Sequence, residues 1–289
     1  MAGNYWRQAR RNDRAKEGEM ESKPVSHQAA WQKDVRIRIR PGRPDSGVKL
    51  YVTDHNAAGA HEFMANTRFF RYPALFDALT RLLAGFETGR PLRVCIVPLS
   101  VGLEAVSFII SGLRQHLFDT HRVGVEGFDI SAKATELARS AIYPRLFFPD
   151  DLSPYDGLLR EMPDGFVAVE GAITKYMDVL PANDIFEFAP DKPYDLVVCL
   201  NLLMHVAEED KARLVGSLAA MTALNGILCL NNNQEWPGEL VPYYEALTAP
   251  GGGFISLHEQ IAGAAGGSND GPDYAVTDAN AMILKRTGP

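Results

Sequence analysis

Two patterns of hydrophobic and polar positions divide the chain. Near the start, "VRIRIR" (35–40) and "VKLYVTD" (48–54) alternate strictly, which predicts a β-hairpin with one solvated face. From residue 93 onward, apolar runs alternate with helix-periodic segments. The predicted strands are 93–98, 123–128, 194–201 and 226–232. The predicted helices are 103–116, 131–141, 207–223 and 236–247, with another after Tyr72 and late strands at 254–259 and 274–286.

The second pattern is typical of an α/β fold. "YDLVVCLNLL" (194–203) is almost continuously apolar, which indicates a strand buried on both faces of its sheet. Strands that alternate with helices indicate parallel βαβ units, with helices on both faces of a Rossmann-like sheet. We therefore predict an N-terminal basic tail and hairpin over 1–60, a possible lid, followed by one domain over 61–289.

Composition narrows the class of protein. The chain has 289 residues, of which 46% are hydrophobic, enough for one large domain. Its three cysteines, Cys95, Cys199 and Cys229, lie in apolar runs and indicate buried thiols, not a metal site or disulfides. No apolar run reaches the length that spans a bilayer, and the N-terminus does not resemble a signal peptide. We expect a cytoplasmic location and no membrane partner.

Charge is divided unevenly along the chain. Residues 1–43 hold 11 Lys/Arg against 5 Asp/Glu, whereas the remainder holds 18 against 31. The acidic body argues against nucleic acid as a partner. The basic segment is interpreted as a solvated tail, with a partner-binding arm or a lid carrying Tyr5, Trp6 and Trp31 as alternatives. The oligomeric state is not predicted.

Polar residues follow the predicted strands, where ligands bind in parallel sheets. After the first strand come Ser100, Gly102 and Glu104. Gly102 permits close backbone approach, and Glu104 could hold an ammonium group or favour the positive helix end. After the second strand comes Asp129, followed by Ile130. Asp129 is suited to ribose hydroxyls, or alternatively caps the next helix.

Two further strand ends complete the set. Asp178 lies at the end of "AITKYMDV" (172–179), which predicts a third strand, and could reach an adenine amino group. Asn201 interrupts the apolar "VVCLNLLMHV" (197–206) and could face a ligand or cap the strand. The chain lacks the G-x-G-x-x-G that cradles a diphosphate. S-adenosylmethionine (SAM) has no phosphate and carries an ammonium group, so this set favours SAM over a dinucleotide.

Four blocks resemble the CheR-type methyltransferases, which use SAM to esterify glutamates on chemotaxis receptors. The blocks are "NTRFFRYPALFDAL" (66–79), "RVCIVPLSVGLEAVSFII" (93–110), "GFDISAKATELARSAIY" (127–143) and "YDLVVCLNLLMHVAEEDKARLVGSLAAMTALNGILCL" (194–230). The resemblance implies a class I SAM-dependent methyltransferase fold. It also implies that Thr67 and Arg71 approach SAM from the segment before the core. By the same resemblance, Glu104 holds the ammonium group of SAM, Asp129 binds its ribose and Asp178 lies beside its adenine. Asn201 and Leu202 would lie near the ribose and the methionine part.

The chain also departs from that family. Leu103, Leu200 and His205 replace an acidic residue, an arginine and a tyrosine. Residues 144–166 do not show the pattern of the family's three-stranded subdomain for receptors. We therefore expect SAM binding without receptor recognition, and methyl transfer to a small molecule in secondary metabolism.

Tyr176, Asn201, Arg71 and His205 are the candidate catalytic residues. His205 could serve as a general base and Arg71 could bind an acceptor carboxylate, whereas each could also be a surface residue, and Tyr176 a core residue. Alternative functions are cyclisation of SAM to azetidine-2-carboxylate with release of methylthioadenosine, protein-glutamate O-methylation, and non-catalytic SAM sensing.

Overall fold

The structure is a computed structural model that describes residues 31, 34–38, 48–56, 59–231, 237–258, 260–261 and 281–288. The predicted lid residues Tyr5 and Trp6, the glycine-rich stretch 263–271 and most of the predicted strand 274–286 lie outside these residues. Among the described residues, every helix is too short or too polar to cross a membrane.

The N-terminal segment forms a three-stranded antiparallel sheet. Its strands are β1 (Val35–Arg38), β2 (Val48–Asn56) and β3 (Gly59–Thr67), in the order β1-β2-β3. The alternation predicted the β1–β2 hairpin correctly, because Leu50 and Val52 on one face are buried. Strand β3 was not predicted. The proposed boundary between residues 60 and 61 falls inside it.

A seven-stranded sheet forms the centre of the molecule, in the order β12-β13-β11-β10-β4-β5-β9. Strands β4, β5, β9, β10 and β11 are parallel, β13 is antiparallel to β11, and β12 is antiparallel to β13. This arrangement confirms the predicted α/β class. The strands are β4 (Leu92–Ile96), β5 (Val123–Gly127), β9 (Met177–Val179), β10 (Tyr194–Leu200), β11 (Thr222–Asn231), β12 (Phe254–Ser256) and β13 (Met282–Arg286).

Seven α-helices connect these strands or precede them in the described residues. They are α1 (Pro73–Ala84), α2 (Leu103–Arg114), α3 (Leu117–Thr120), α4 (Ala132–Ser140), α5 (Gly171–Thr174), α6 (Glu208–Met221) and α7 (Val241–Thr248). All seven residues of β10 are buried, with Leu196 and Val198 in one hydrophobic cluster and Val197 and Cys199 in the other. The sheet is thus covered on both faces, as the continuous apolar run predicted. The three cysteines are buried free thiols.

A second three-stranded antiparallel sheet interrupts the central fold. Its strands are β6 (Ile142–Pro144), β7 (Leu159–Glu161) and β8 (Phe166–Val169), in the order β6-β8-β7. The expectation that residues 144–166 lack three strands was therefore wrong. The predicted third strand, 172–179, was also partly wrong, because its first residues form α5 and only Met177–Val179 is extended.

The connection between β6 and β7 of the small sheet packs on the segment that precedes α1. The Phe69 ring lies 4.9 Å from that of Phe148 and 5.0 Å from that of Tyr155, measured between centroids. Trp31 donates its indole N–H to the carbonyl of Ile142 at 2.9 Å. These contacts join the N-terminal segment, the small sheet and the core.

Candidate active site

The turn after β4 has a constrained backbone. Ser100 and Gly102 both adopt left-handed conformations, with φ of 51° and 92°. A Cβ atom at position 102 would lie 3.1 Å from the hydroxyl of Tyr143 and 3.2 Å from Cβ of Ala138. Both the backbone angle and the close packing therefore require glycine here. The turn leads directly into α2, whose first turn carries Glu104.

Glu104 is a buried carboxylate beside this turn. Only 8% of the residue is exposed, and the hydroxyl of Thr67 donates to Oε2 at 2.9 Å. Burial raises the pKa of Glu104, against the hydrogen bond from Thr67 and the charge of Arg71, which lower it. The site thus holds a carboxylate that a cationic ligand would stabilise in its charged form.

Asp129, at the end of β5, binds the same turn. Its Oδ2 accepts the Ser100 N–H at 2.9 Å, and its Oδ1 accepts the Ser131 N–H at 3.0 Å. Burial raises its pKa, against these backbone hydrogen bonds and one from Ile130. The side chain that caps α4 is that of Ser131, which accepts from the Ala134 N–H at 3.0 Å. Asp129 instead fixes the two strand ends relative to each other.

Asn201 occupies the end of β10 in a left-handed conformation, with φ of 56°. The hydroxyl of buried Tyr72 donates to its Oδ1 at 3.0 Å, and its backbone N–H donates to the carbonyl of Asn231 at 3.1 Å. Leu202 is buried next to it. His205 ends a short 3₁₀ turn, Leu203–His205, and is exposed; partial desolvation of its ring lowers its pKa, which favours the neutral imidazole at pH 7.

Arg71 lies between these groups. Its guanidinium carbon is 5.1 Å from the centroid of the Tyr72 ring, and its charge acts on both Glu104 and Tyr72. The preceding Phe70 is held in a left-handed conformation, and its N–H donates to Oγ of Ser107 at 2.9 Å. The segment before α1 is therefore fixed against α2, next to Glu104.

The structure separates Tyr176 from the other predicted residues. Its ring stacks on Phe118 in α3, with centroids 4.0 Å apart, and its carbonyl accepts from Val125 within β5. Helix α2, 12 residues or about 18 Å long, runs from the turn at Gly102 to the segment that carries Phe118. Tyr176 thus lies toward the opposite end of the sheet from Glu104, where a catalytic role has no support.

Asp178 lies on the edge strand β9 and is exposed. It lines a shallow cavity of about 280 Å³ together with Arg139 and Met177. Arg139 donates to the carbonyls of Val179 and Leu180 at 3.1 and 2.7 Å. The structure places Asp178 two strands from Glu104, on the side of Asp129.

Sequence reasoning missed Tyr72 and Asn231, which form the buried support of Asn201. The interruption of the apolar run "GILCLN" by Asn231 at its end was the available signal. Across β10, β4 and β5, the structure orders Asn201, Glu104 and Asp129 along one edge, with neighbouring strands about 4.8 Å apart. Asp178, on β9, pairs with Glu126, three residues before Asp129. Such a row of polar groups suits an extended ligand with several polar functions. The described residues contain no cluster of metal-binding side chains.

Comparison with known proteins agrees with this geometry. The family described as CheR methyltransferase, SAM binding domain, matches residues 65–247. The probable biofilm formation methyltransferase WspC of Pseudomonas aeruginosa is 30% identical over 174 residues, which cover 56% of this chain and 40% of that protein. A chemotaxis protein methyltransferase of Vibrio parahaemolyticus is 23% identical over 154 residues, covering 52% of this chain and 56% of that protein.

The chain therefore spans about half the length of these curated relatives. Among solved structures, magnesium protoporphyrin IX methyltransferase (ChlM) from Synechocystis PCC 6803 with bound SAM is similar at 15% identity. The likeness covers 74% of this chain and 79% of that one, with a TM-score of 0.39, and a likeness of this degree says nothing of the substrate. The family match spans more than half of the chain and includes Thr67, Arg71, Glu104, Asp129 and Asn201. The chain belongs to the CheR methyltransferase family, through its SAM-binding domain.

Proposed function

We propose that this chain is a SAM-dependent methyltransferase. The observation that supports this most directly is the buried Glu104 carboxylate, one strand from the Asp129 carboxylate and beside Arg71. SAM, when bound, supplies a methyl group on a sulfonium that a lone pair of an acceptor can attack. Glu104 would pair with its α-ammonium group.

Asp129 has the capacity to hold the ribose. Both of its oxygens accept a backbone N–H, but a carboxylate offers about four lone-pair sites. With the further hydrogen bond from the Ile130 backbone, one site remains that can accept a ribose hydroxyl without breaking the existing bonds. Exposed Asp178, on the neighbouring strand β9, is our candidate for the adenine amino group.

The acceptor that fits this site best is a carboxylate. Arg71 supplies a positive charge next to Glu104. A carboxylate is already anionic at neutral pH, so its methylation needs positioning and charge stabilisation more than a general base. Neutral His205 then serves as a neighbouring polar group.

We favour a protein carboxylate over a small molecule. The expectation of a small-molecule acceptor depended on the loss of the three-stranded subdomain, and that sheet is present as β6-β8-β7. The similar protein of Vibrio parahaemolyticus carries the name chemotaxis protein methyltransferase. A small molecule of secondary metabolism is the competing acceptor.

The test is incubation of the purified chain with SAM, followed by mass spectrometry. S-adenosylhomocysteine (SAH) that forms only with an added protein acceptor, together with a methyl ester on that acceptor, is the expected result. SAH formation only with added carboxylic acids of low mass would support the small-molecule acceptor. Methylthioadenosine and azetidine-2-carboxylate from SAM alone would establish cyclisation and contradict the proposal, as would SAM binding without any product.

The Asp129→Asn variant identifies the site. We expect it to weaken SAM binding by about tenfold or more, because one charged acceptor for the ribose hydroxyls is lost. Asp119→Asn is the matched control, since Asp119 is exposed on α3 and pairs with His116. Equal SAM affinity in the two variants, measured by calorimetry, would exclude Asp129 from the site.

A further inference from the structure

A buried hydrogen-bonded group joins the ends of β10 and β11 to the segment before α1. Tyr72 is fully buried, and its hydroxyl donates to Oδ1 of Asn201 at 3.0 Å. The side chain of Asn231, which is also fully buried, hydrogen-bonds to the same phenol. Burial raises the pKa of Tyr72, so the phenol keeps its proton. None of these hydrogen bonds involves Glu104 or Asp129.

This arrangement sets the orientation of the Asn201 amide. A phenol carries one hydrogen, and Tyr72 gives it to the amide oxygen of Asn201. The oxygen is therefore engaged by Tyr72, which leaves the NH₂ group of this partly exposed residue to other partners. A left-handed backbone at a non-glycine residue carries a cost that surrounding contacts must offset, and such residues concentrate at functional sites.

The sheet order shows which part of a ligand would meet this amide. Asn201 lies on β10, one strand beyond Glu104 and on the opposite side from Asp129 and Asp178. A ligand with its ribose at Asp129 and its ammonium at Glu104 reaches Asn201 with its amino-acid end. The guanidinium of Arg71, over the Tyr72 ring, adds a positive charge at the same end.

We propose that Tyr72 is a positioning residue that fixes Asn201 as a hydrogen-bond donor toward the amino-acid end of the bound ligand. The hydrogen-bond acceptor at that end is a group such as the ligand's own carboxylate. This inference rests on the proposed SAM site. It assigns a role to a tyrosine that does not touch the ligand itself.

Two variants and two ligands test the role. Tyr72→Phe removes the hydroxyl, whereas Asn201→Asp still accepts from Tyr72 but presents a carboxylate in place of the NH₂ group. SAH contains the amino-acid end, and methylthioadenosine lacks it. We expect calorimetry to show a loss of SAH affinity of about tenfold in Tyr72→Phe and a larger loss in Asn201→Asp. Methylthioadenosine affinity should change by less than about twofold in both.

Tyr155→Phe is the matched control, because Tyr155 lies in the aromatic cluster with Phe69 and away from the strand ends. It should bind both ligands as the unmodified chain does. An equal loss of both ligands in the two test variants, or no loss of SAH, would overturn the inference. If Tyr72→Phe does not fold, Asn201→Asp alone decides by the same criterion. Failure of the unmodified chain to bind either ligand would overturn the SAM site and this inference with it.

Discussion

At the scale of single residues, Glu104 has opposing effects on binding and stability. Burial raises its pKa, so the folded chain holds its proton more tightly than the unfolded chain does. Its contribution to stability therefore falls as pH rises from the ordinary carboxyl range through the raised value. We expect Glu104→Gln to stabilise the ligand-free chain by about 1 kcal/mol at pH 7 and to abolish SAH binding.

Urea denaturation at several pH values checks this expectation, with SAH calorimetry in parallel. The stabilisation should shrink toward pH 4, which is close to the ordinary pKa of a glutamate. There the Glu104 carboxyl of the folded chain is protonated and, like the glutamine, carries no charge. Glu209→Gln, at an exposed position early in α6, is the matched control for binding and should leave SAH affinity unchanged. Lower stability of Glu104→Gln at pH 7 would mean that Thr67 and Arg71 more than offset the cost of burial.

Tyr143 offers a second test at this scale. Its hydroxyl is buried beneath Gly102 and has no hydrogen-bond partner within the described part of the chain. Because a buried polar group without a partner costs about 1–3 kcal/mol, we expect Tyr143→Phe to raise the free energy of unfolding by up to about 1 kcal/mol. Chemical denaturation measures this, and a clear loss of stability would show that the hydroxyl contributes to the fold.

The residues found from the sequence share one property. Glu104, Asp129 and Asn201 are polar side chains that follow apolar runs, and parallel strand ends are where such residues meet. Tyr72 could not be found in the same way, because a tyrosine before a helix is typical of packing. Its role depends on a partner 129 positions away in the chain, and only the fold brings the two together.

At the scale of elements, the N-terminal sheet stabilises α4. Oδ1 of Asp54, on β2, accepts from the Ser131 hydroxyl at 3.0 Å and from the Lys133 N–H at 2.8 Å. Helix N-termini leave backbone N–H groups unpaired, and an acceptor there also meets the positive end of the helix. The sheet thus supports the helix that follows Asp129.

We expect Asp54→Ala to lower the free energy of unfolding by about 1–2 kcal/mol, since a helix cap is lost. SAH binding should weaken as well, because the N–H of Ser131 that Asp129 accepts belongs to the same helix start. Asp191→Ala, at an exposed loop position before β10, is the control. Denaturation and calorimetry of both variants give the comparison, and unchanged values for Asp54→Ala would show that the sheet does not support the site.

Element prediction succeeded where periodic runs were long. The seven residues of β10 and the 14 of α6 carry a clear pattern. Strands β6, β7 and β9 have three residues each, which is too few for an alternation to be distinguished from a turn. The small sheet was missed for this reason, and its presence removes the basis on which the sequence analysis set a protein acceptor aside.

At the scale of the whole molecule, a ligand in the proposed site would link parts that are distant in sequence. Thr67 and Arg71 precede the core, Glu104 and Asp129 follow β4 and β5, and Asn201 follows β10. The contacts of Phe69 with the small sheet connect a further element to this group. Binding at the site should therefore stabilise the fold as a unit.

We expect SAH at a hundred times its dissociation constant to add about 2.7 kcal/mol to the stability of the chain and to raise its melting temperature. Calorimetric unfolding should show one transition that moves to higher temperature. The reason is that the ligand binds groups before the core and at the ends of β4, β5 and β10. The same SAH concentration should leave Glu104→Gln unmoved and shift Glu209→Gln as it shifts the unmodified chain. If only part of the unfolding transition moved, the segment before α1 would not belong to the binding unit, and the roles given to Thr67 and Arg71 would be wrong.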